Sequence, residues 1–147
     1  MAPIVAIAIL AALLLLLAGS VIWSKKFGGY MPEPYRSRAC QGAIWKKTFP
    51  SASKTEIRRF LRIFSASFAF RESQKLQVNP EDKILAVYRA LYPKNGGIDA
   101  LELETFATNI EREYKIGFAS VWKEHLTFGE LFKNCETPAL TSNQSEA

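Results

Sequence analysis

Few side chains in this 147-residue chain can do chemistry near neutral pH: one histidine, His125, and two thiols, Cys40 and Cys135. A histidine can serve as a general base there, and a thiolate as a nucleophile. Covalent catalysis needs nucleophile, base and orienting group as a set, and no such set is visible. His125 lies in WKEHL, where a helix-end or surface role accounts for it. With no CxxC spacing and a single histidine, no metal site is expected. The expectation is a protein that is not an enzyme and holds no cofactor. With one cysteine pair and no disulfide framework, both thiols should be free.

Another stretch poses a different question. Residues 96–116 read GGIDALELETFATNIEREYKI. The Gly96-Gly97 pair ends the preceding segment, and Asp99 is placed to cap a new helix. Leu103, Phe106, Ala107, Ile110 and Tyr114 then fall at helical spacing and predict a buried stripe. Glu102, Glu104, Glu111 and Glu113 fall on the opposite, solvent-facing side. Gly117 stands where a C-cap is expected. Ala100, just after the capping Asp, is a good helix former with no reactive atom.

The elements around this stretch are helical too. Ser53-Lys54-Thr55-Glu56 fits a capping box, in which serine oxygen and glutamate each satisfy an orphan backbone donor. Ile57, Phe60, Leu61, Phe64 and Phe68 follow at helical spacing, away from Arg58, Arg59 and Arg62. That stripe fits a packed core or a membrane-surface helix. Ile84, Leu85, Tyr88 and Leu91 continue a helical pattern between Pro80 and Pro93. After the short segment ASVWKEHL, Thr127 can cap a last helix, FGELFKN, with Phe128, Leu131 and Phe132 inward. No strand-like alternation and no internal repeat occurs, so the class is all-α.

The first residues have another character. From Ala2 to Trp23 there is no charge, over a length that fits a bilayer's hydrocarbon core. A cleaved signal peptide would want a positive start and a shorter apolar run. The expectation is one N-terminal transmembrane helix within residues 1–24, in contact with the lipid bilayer through residues 2–23. Lys25, Lys26, Arg36 and Arg38 follow the span and none precedes it. The positive-inside rule then puts the C-terminal part in the cytoplasm, as a single-pass protein of the inner or plasma membrane. Residues 25–52 read as a basic juxtamembrane linker, each cation adding about 1 kcal/mol beside an anionic leaflet. Trp45 and Phe49 can dock on the domain or dip into headgroups. Residues 136–147 read as a disordered tail. The net charge of +5 is concentrated near the span, and no nucleic-acid motif accompanies it.

The order of these pieces resembles an acyl carrier protein over residues 53–135. DALELETFATNIEREYKIGF runs in register with the family's second helix, LTFGELF looks like its fourth, and VNPEDKIL fits the start of its long first loop. The resemblance implies a small helical bundle. In that family the second helix opens Asp-Ser-Leu, and the serine carries phosphopantetheine. The helix N-terminus suits an attached phosphate. The serine position is Ala100, so that attachment cannot occur there. Ser65, Ser67, Ser73 and Ser120 do not open a helix after an Asp. Glu104-Thr105-Phe106 replaces the family's Val-Glu-Leu, and the arginine-rich first helix also departs from it.

The resulting expectation is a membrane-anchored, acyl-carrier-like interaction module without an arm, acting by contact with an unknown protein partner. Asp99, Ala100, Leu101, Glu104 and Glu111 would form the docking surface, its carboxylates steering a basic partner. The alternative is a working carrier with a non-standard attachment, or one that holds a lipid or acyl chain non-covalently among its ten Phe residues.

Overall fold

The computed structural model describes the backbone of residues 2–26, 29–94 and 100–142, and the side chains of 4–20, 29–94 and 100–137. Among the described residues the secondary structure is helical, with two isolated bridges, Gly29 to Phe70 and Lys83 to Thr127. The helices are α1 (Ala2–Lys26), α2 (Gly42–Thr48), α3 (Lys54–Ser67), α4 (Ile84–Leu91), α5 (Leu101–Tyr114), α6 (Phe118–Val121) and α7 (Phe128–Ser142). A 3-10 helix, Glu72–Gln77, lies between α3 and α4.

Helix α1 corrects an expectation. Among the described residues no helix is long and apolar enough to cross a membrane, which overturns the transmembrane span and the single-pass membrane localisation drawn from the sequence. Ile4, Leu10, Leu15 and Leu17 along this helix are exposed. Lys25 and Lys26 end the helix, and their side chains lie outside the described residues.

Helix α3 begins as its sequence dictates. The Glu56 amide donates to Ser53 Oγ at 3.1 Å, and the Ser53 amide donates to Glu56 Oε2 at 2.6 Å. Ile57, Phe60, Leu61, Phe64 and Phe68 are all buried, while Arg58, Arg59 and Arg62 face solvent. The stripe is core. The helix ends in a Schellman turn, with the Phe70 amide on Ser65 O at 2.8 Å and the Ala69 amide on Ala66 O at 3.2 Å. Ala69 takes the left-handed position at φ 54°, where glycine is usual. The Phe70 ring closes on Phe64 at 5.8 Å, the apolar contact that accompanies this turn.

The core is a cluster of rings. Phe64 meets Phe128 at 4.6 Å, Phe68 at 4.8 Å and Phe106 at 5.7 Å between centroids. Phe60 meets Phe132 at 5.2 Å. Most of these pairs are edge-to-face or tilted, the geometry the ring quadrupole favours. They join α3 to α5 and α7. Helix α7 opens with a second reciprocal cap, the Glu130 amide on Thr127 Oγ1 at 3.1 Å and the Thr127 amide on Glu130 Oε2 at 3.0 Å.

The segment read as a linker belongs to this core. Met31, Tyr35, Trp45 and Ala52 are buried in it. Trp45 donates through Nε1 to Val78 O at 2.7 Å and lies edge-on to Phe132 at 5.8 Å. Phe49 packs on Phe132 at 4.9 Å, so both aromatics dock on the domain. Arg38, expected beside a membrane, pairs with Asp82 at 2.5 Å, and the same carboxylate accepts from the Asn79 amide at 2.7 Å. Arg36 pairs with Glu33 at 3.0 Å. These buried positions are spread over irregular chain and the short helix α2, so no sustained period marks them, which is why these residues look like linker.

Two helix ends also differ. Lys115, left-handed at φ 56°, terminates α5, and Gly117 instead stands before α6 with an ordinary φ of −81°. Helix α7 continues past Cys135 to Ser142, into the stretch read as disordered, and 143–147 lie outside the described residues.

If the ring cluster carries the stability, Phe64→Ala should cost about 3–5 kcal/mol and Ser53→Ala only about 1 kcal/mol. Urea unfolding followed by tryptophan fluorescence measures both. Similar losses for the two variants would contradict this ranking.

Candidate functional site

Helix α5 opens with the residues expected to form the docking surface. Ala100 is its N-cap, at φ −89° and ψ 26°, and makes no side-chain cap. Its carbonyl accepts the Glu104 amide at 2.9 Å. Asp99, the expected cap, lies outside the described residues. An alanine cap offers the first-turn amides no side-chain acceptor of its own, and Glu102 and Glu104 in that turn supply the negative charge the helix start favours.

The glutamates of α5 are not equivalent. Glu102 accepts from the Tyr92 hydroxyl, tying α5 to the end of α4. Glu111 Oε1 accepts the Phe118 amide at 2.8 Å and so holds the start of α6. Glu113 faces Arg59 of α3 at 3.4 Å. Glu104 is exposed and is one helical turn from Leu101, whose side chain is 60% exposed. Thr108, one more turn along, is exposed as well. Of the five expected residues, Leu101, Glu104 and Glu111 are exposed, Ala100 is half-buried, and Asp99 lies outside the described residues. Glu111 is a brace between helices. Periodicity places all four glutamates outside, but only tertiary contacts separate the bracing ones.

The hydroxyls near this helix are differently engaged. Ser65 Oγ donates to Leu61 O at 3.0 Å, and Ser67 Oγ donates to Ile63 O at 2.7 Å while accepting from Asn109 at 3.0 Å. Ser120 Oγ donates to Gly117 O at 2.6 Å from an exposed position, and Ser73 is exposed on the 3-10 helix.

His125 and the thiols are not brought together. His125 is exposed and lines a groove of about 630 Å³ with Lys123, Lys133, Glu130 and Glu136. Hydrogen bonding to Lys123 and to the Thr127 amide holds Glu130 below the usual carboxylate range. Cys40 is exposed and lines another groove, beside α2, whereas Cys135 is buried in the core. Burial, with the charge of Glu136 adding to it, pushes the Cys135 thiol up from 9.0 to about 12. Burial likewise raises the Tyr114 phenol above its ordinary value of 10.0. Among the described residues no group of three or more His, Cys, Asp or Glu stands together as metal ligands.

The groove beside α2 has no counterpart in the sequence reading. It is edged by Lys46, Lys47, Lys54 and Arg58, which come from two helices. Lys46-Lys47 directly after Trp45, and Lys54 four residues before Arg58, were the available signals. Nothing in one dimension says that the two pairs converge.

No family model, no curated protein and no solved structure matches this chain.

The buried thiol sets a pH dependence. Because the folded state holds the Cys135 proton more tightly, the unfolded chain releases it first. The stabilisation is complete below the ordinary thiol value of 9.0 and is lost as pH rises toward about 12. Tyr114 acts with the same sign from 10.0 upward. Unfolding free energy should therefore stay level near neutral pH and fall above pH 9.0, with a shallower fall in Cys135→Ala. Maleimide labelling at neutral pH should reach Cys40 and spare Cys135 until denaturant is added; equal labelling of both in the folded protein would refute the placement.

Proposed function

We propose that this chain is an acyl-carrier-like helical module that carries no phosphopantetheine arm and works by protein contact, with the start of α5 as its docking surface. The observation that carries this reading is Ala100 at the N-cap of α5. A methyl group there has no oxygen to esterify, in a position where the carrier resemblance requires one.

The succession of α3, a long connection that holds the 3-10 helix and α4, then α5, the short α6 and α7 supports the same reading, and so does the reciprocal cap that opens α7. The exposed pair Leu101 and Glu104 offers one apolar contact and one charge at the helix opening. That combination suits a partner surface with an apolar pocket and a basic rim. The close ring contacts among Phe60, Phe64, Phe106 and Phe132 favour contact at the surface over holding a chain within the interior.

Coexpression with a broad-specificity phosphopantetheinyl transferase, followed by intact-mass measurement, tests the reading. The expected mass is that of the unmodified chain. A gain equal to one phosphopantetheine arm would overturn the proposal. Ala100→Ser alone should also stay unmodified, because the residues flanking position 100 differ from the family's as well. Efficient modification of that variant would mean that the transferase-docking surface is intact.

A further inference from the structure

The groove beside α2 combines three properties that the docking surface on α5 does not share. Its floor is apolar, made by Ala43, Ile57 and the Leu76 side chain, with Gly42 leaving space above them. Its rim is cationic, and none of its lining residues is a carboxylate. Its volume, about 590 Å³, is that of a small-molecule site rather than a protein interface.

The cations at this rim differ from five others on the surface. Arg36, Arg59, Arg62, Arg89 and Lys123 each face a carboxylate: Glu33, Glu113, Glu72, Glu124 and Glu130 respectively. No described carboxylate pairs with Lys47, Lys54 or Arg58. Lys46 is held at the rim by its bonds to Pro50 O at 2.8 Å and Ala52 O at 2.6 Å. The neighbouring acid, Glu56, is held in the α3 cap, and its charge reaches Lys46. The remaining cations, Lys47, Lys54 and Arg58, repel one another, and an anion placed among them relieves that repulsion.

We propose that this groove binds a single-chain amphiphile with an anionic head, the chain lying on Ala43, Ile57 and Leu76 and the head among Lys47, Lys54 and Arg58. Carboxylate and phosphate heads share the required chemistry. An inorganic anion alone would leave the apolar floor wet. An acidic peptide finds too little wall: α2 has seven residues, about 10 Å of helix, against the roughly 800 Å² per partner of a stable protein interface. This site is separate from the start of α5 and stands or falls without the proposed function.

Cys40 makes the site testable in the full-length chain. It is exposed at the groove, and a Cβ placed on Gly42 would lie 3.5 Å from its sulfur and 3.7 Å from a Leu76 methyl, in ordinary contact. A Cβ at position 42 therefore fits in ordinary contact, and a larger side chain built on it competes for the groove. The apolar surface of α1 can take up amphiphiles by itself, so total binding is uninformative and a local reporter is needed. The measurement is the rate of Cys40 alkylation by N-ethylmaleimide, with and without laurate or dodecyl phosphate below their micelle concentrations. Dodecyl maltoside, also below its micelle concentration, is the neutral control and hexaglutamate the acidic-peptide control.

Laurate and dodecyl phosphate should slow alkylation in the wild type, and the two controls should not. The doubly charge-reversed Lys47→Glu/Lys54→Glu variant changes only exposed side chains and should weaken protection by about tenfold or more. Gly42→Leu should abolish protection while circular dichroism shows the same helix content. Equal protection by the maltoside would overturn the proposal, as would protection that survives charge reversal. Protection by hexaglutamate alone would overturn it in favour of an acidic protein partner. If Gly42→Leu fails to fold, the charge-reversed variant decides.

Discussion

Everything in this fold that can be called a site is positioned by the contact of Phe64 with the rings around it. Phe64 belongs to α3, Phe106 to α5 and Phe128 to α7, and their centroids lie within 6 Å of Phe64. Burying a ring is worth a few kcal/mol, and its offset or edge contacts add roughly 0.5–1.5 kcal/mol per pair. A core built this way sets the relative orientation of the three helices, because a ring seated edge-on accepts few alternative directions. The exposed face of α5 is then whatever the rings leave over.

The polar contacts that join the 29–49 segment to the middle of the chain depend on the same core. Trp45 reaches Val78 O, the Gln41 amide reaches Leu76 O at 2.7 Å, and the Met31 amide reaches Gln74 Oε1 at 3.0 Å. Each satisfies a group that would be costly to leave unpaired once buried. Together they lay the 29–49 segment against the 3-10 helix and the residue after it, and the cationic groove lies among α2, the start of α3 and Leu76. The groove is therefore a consequence of how the N-terminal segment docks, rather than of any motif in α2 or α3 alone.

Carboxylates have two roles here. Glu56 and Glu130 close helix starts, Glu111 links α5 to α6, and Glu113 approaches α3. Glu104 is committed to none of these, and it stands beside exposed Leu101 at the helix opening. An acidic helix face is thus partly scaffold and partly free surface. The basic face divides in the same way: Arg38 is spent on Asp82, while Lys47, Lys54 and Arg58 remain without a described counter-charge. The acidic surface on α5 and the basic groove at α2 and α3 are chemically opposite, which fits two different kinds of binding.

Helices and their caps follow from residue order alone, because these depend on neighbours within one turn. Ser53 with Glu56 and Thr127 with Glu130 behave as their spacing requires, and the stripe from Ile57 to Phe68 is buried as its period demands. The absence of a hydroxyl at position 100 is likewise a fact of sequence. It takes the folded chain to place Met31, Tyr35 and Trp45 in the core, to make Glu111 a brace, and to bring four cations to one groove. The structure also overturned the membrane span read from the N-terminal apolar run. The physical reason is range: caps and periodicity are local, whereas burial, pairing and convergence depend on partners dozens of residues away, which no spacing rule encodes.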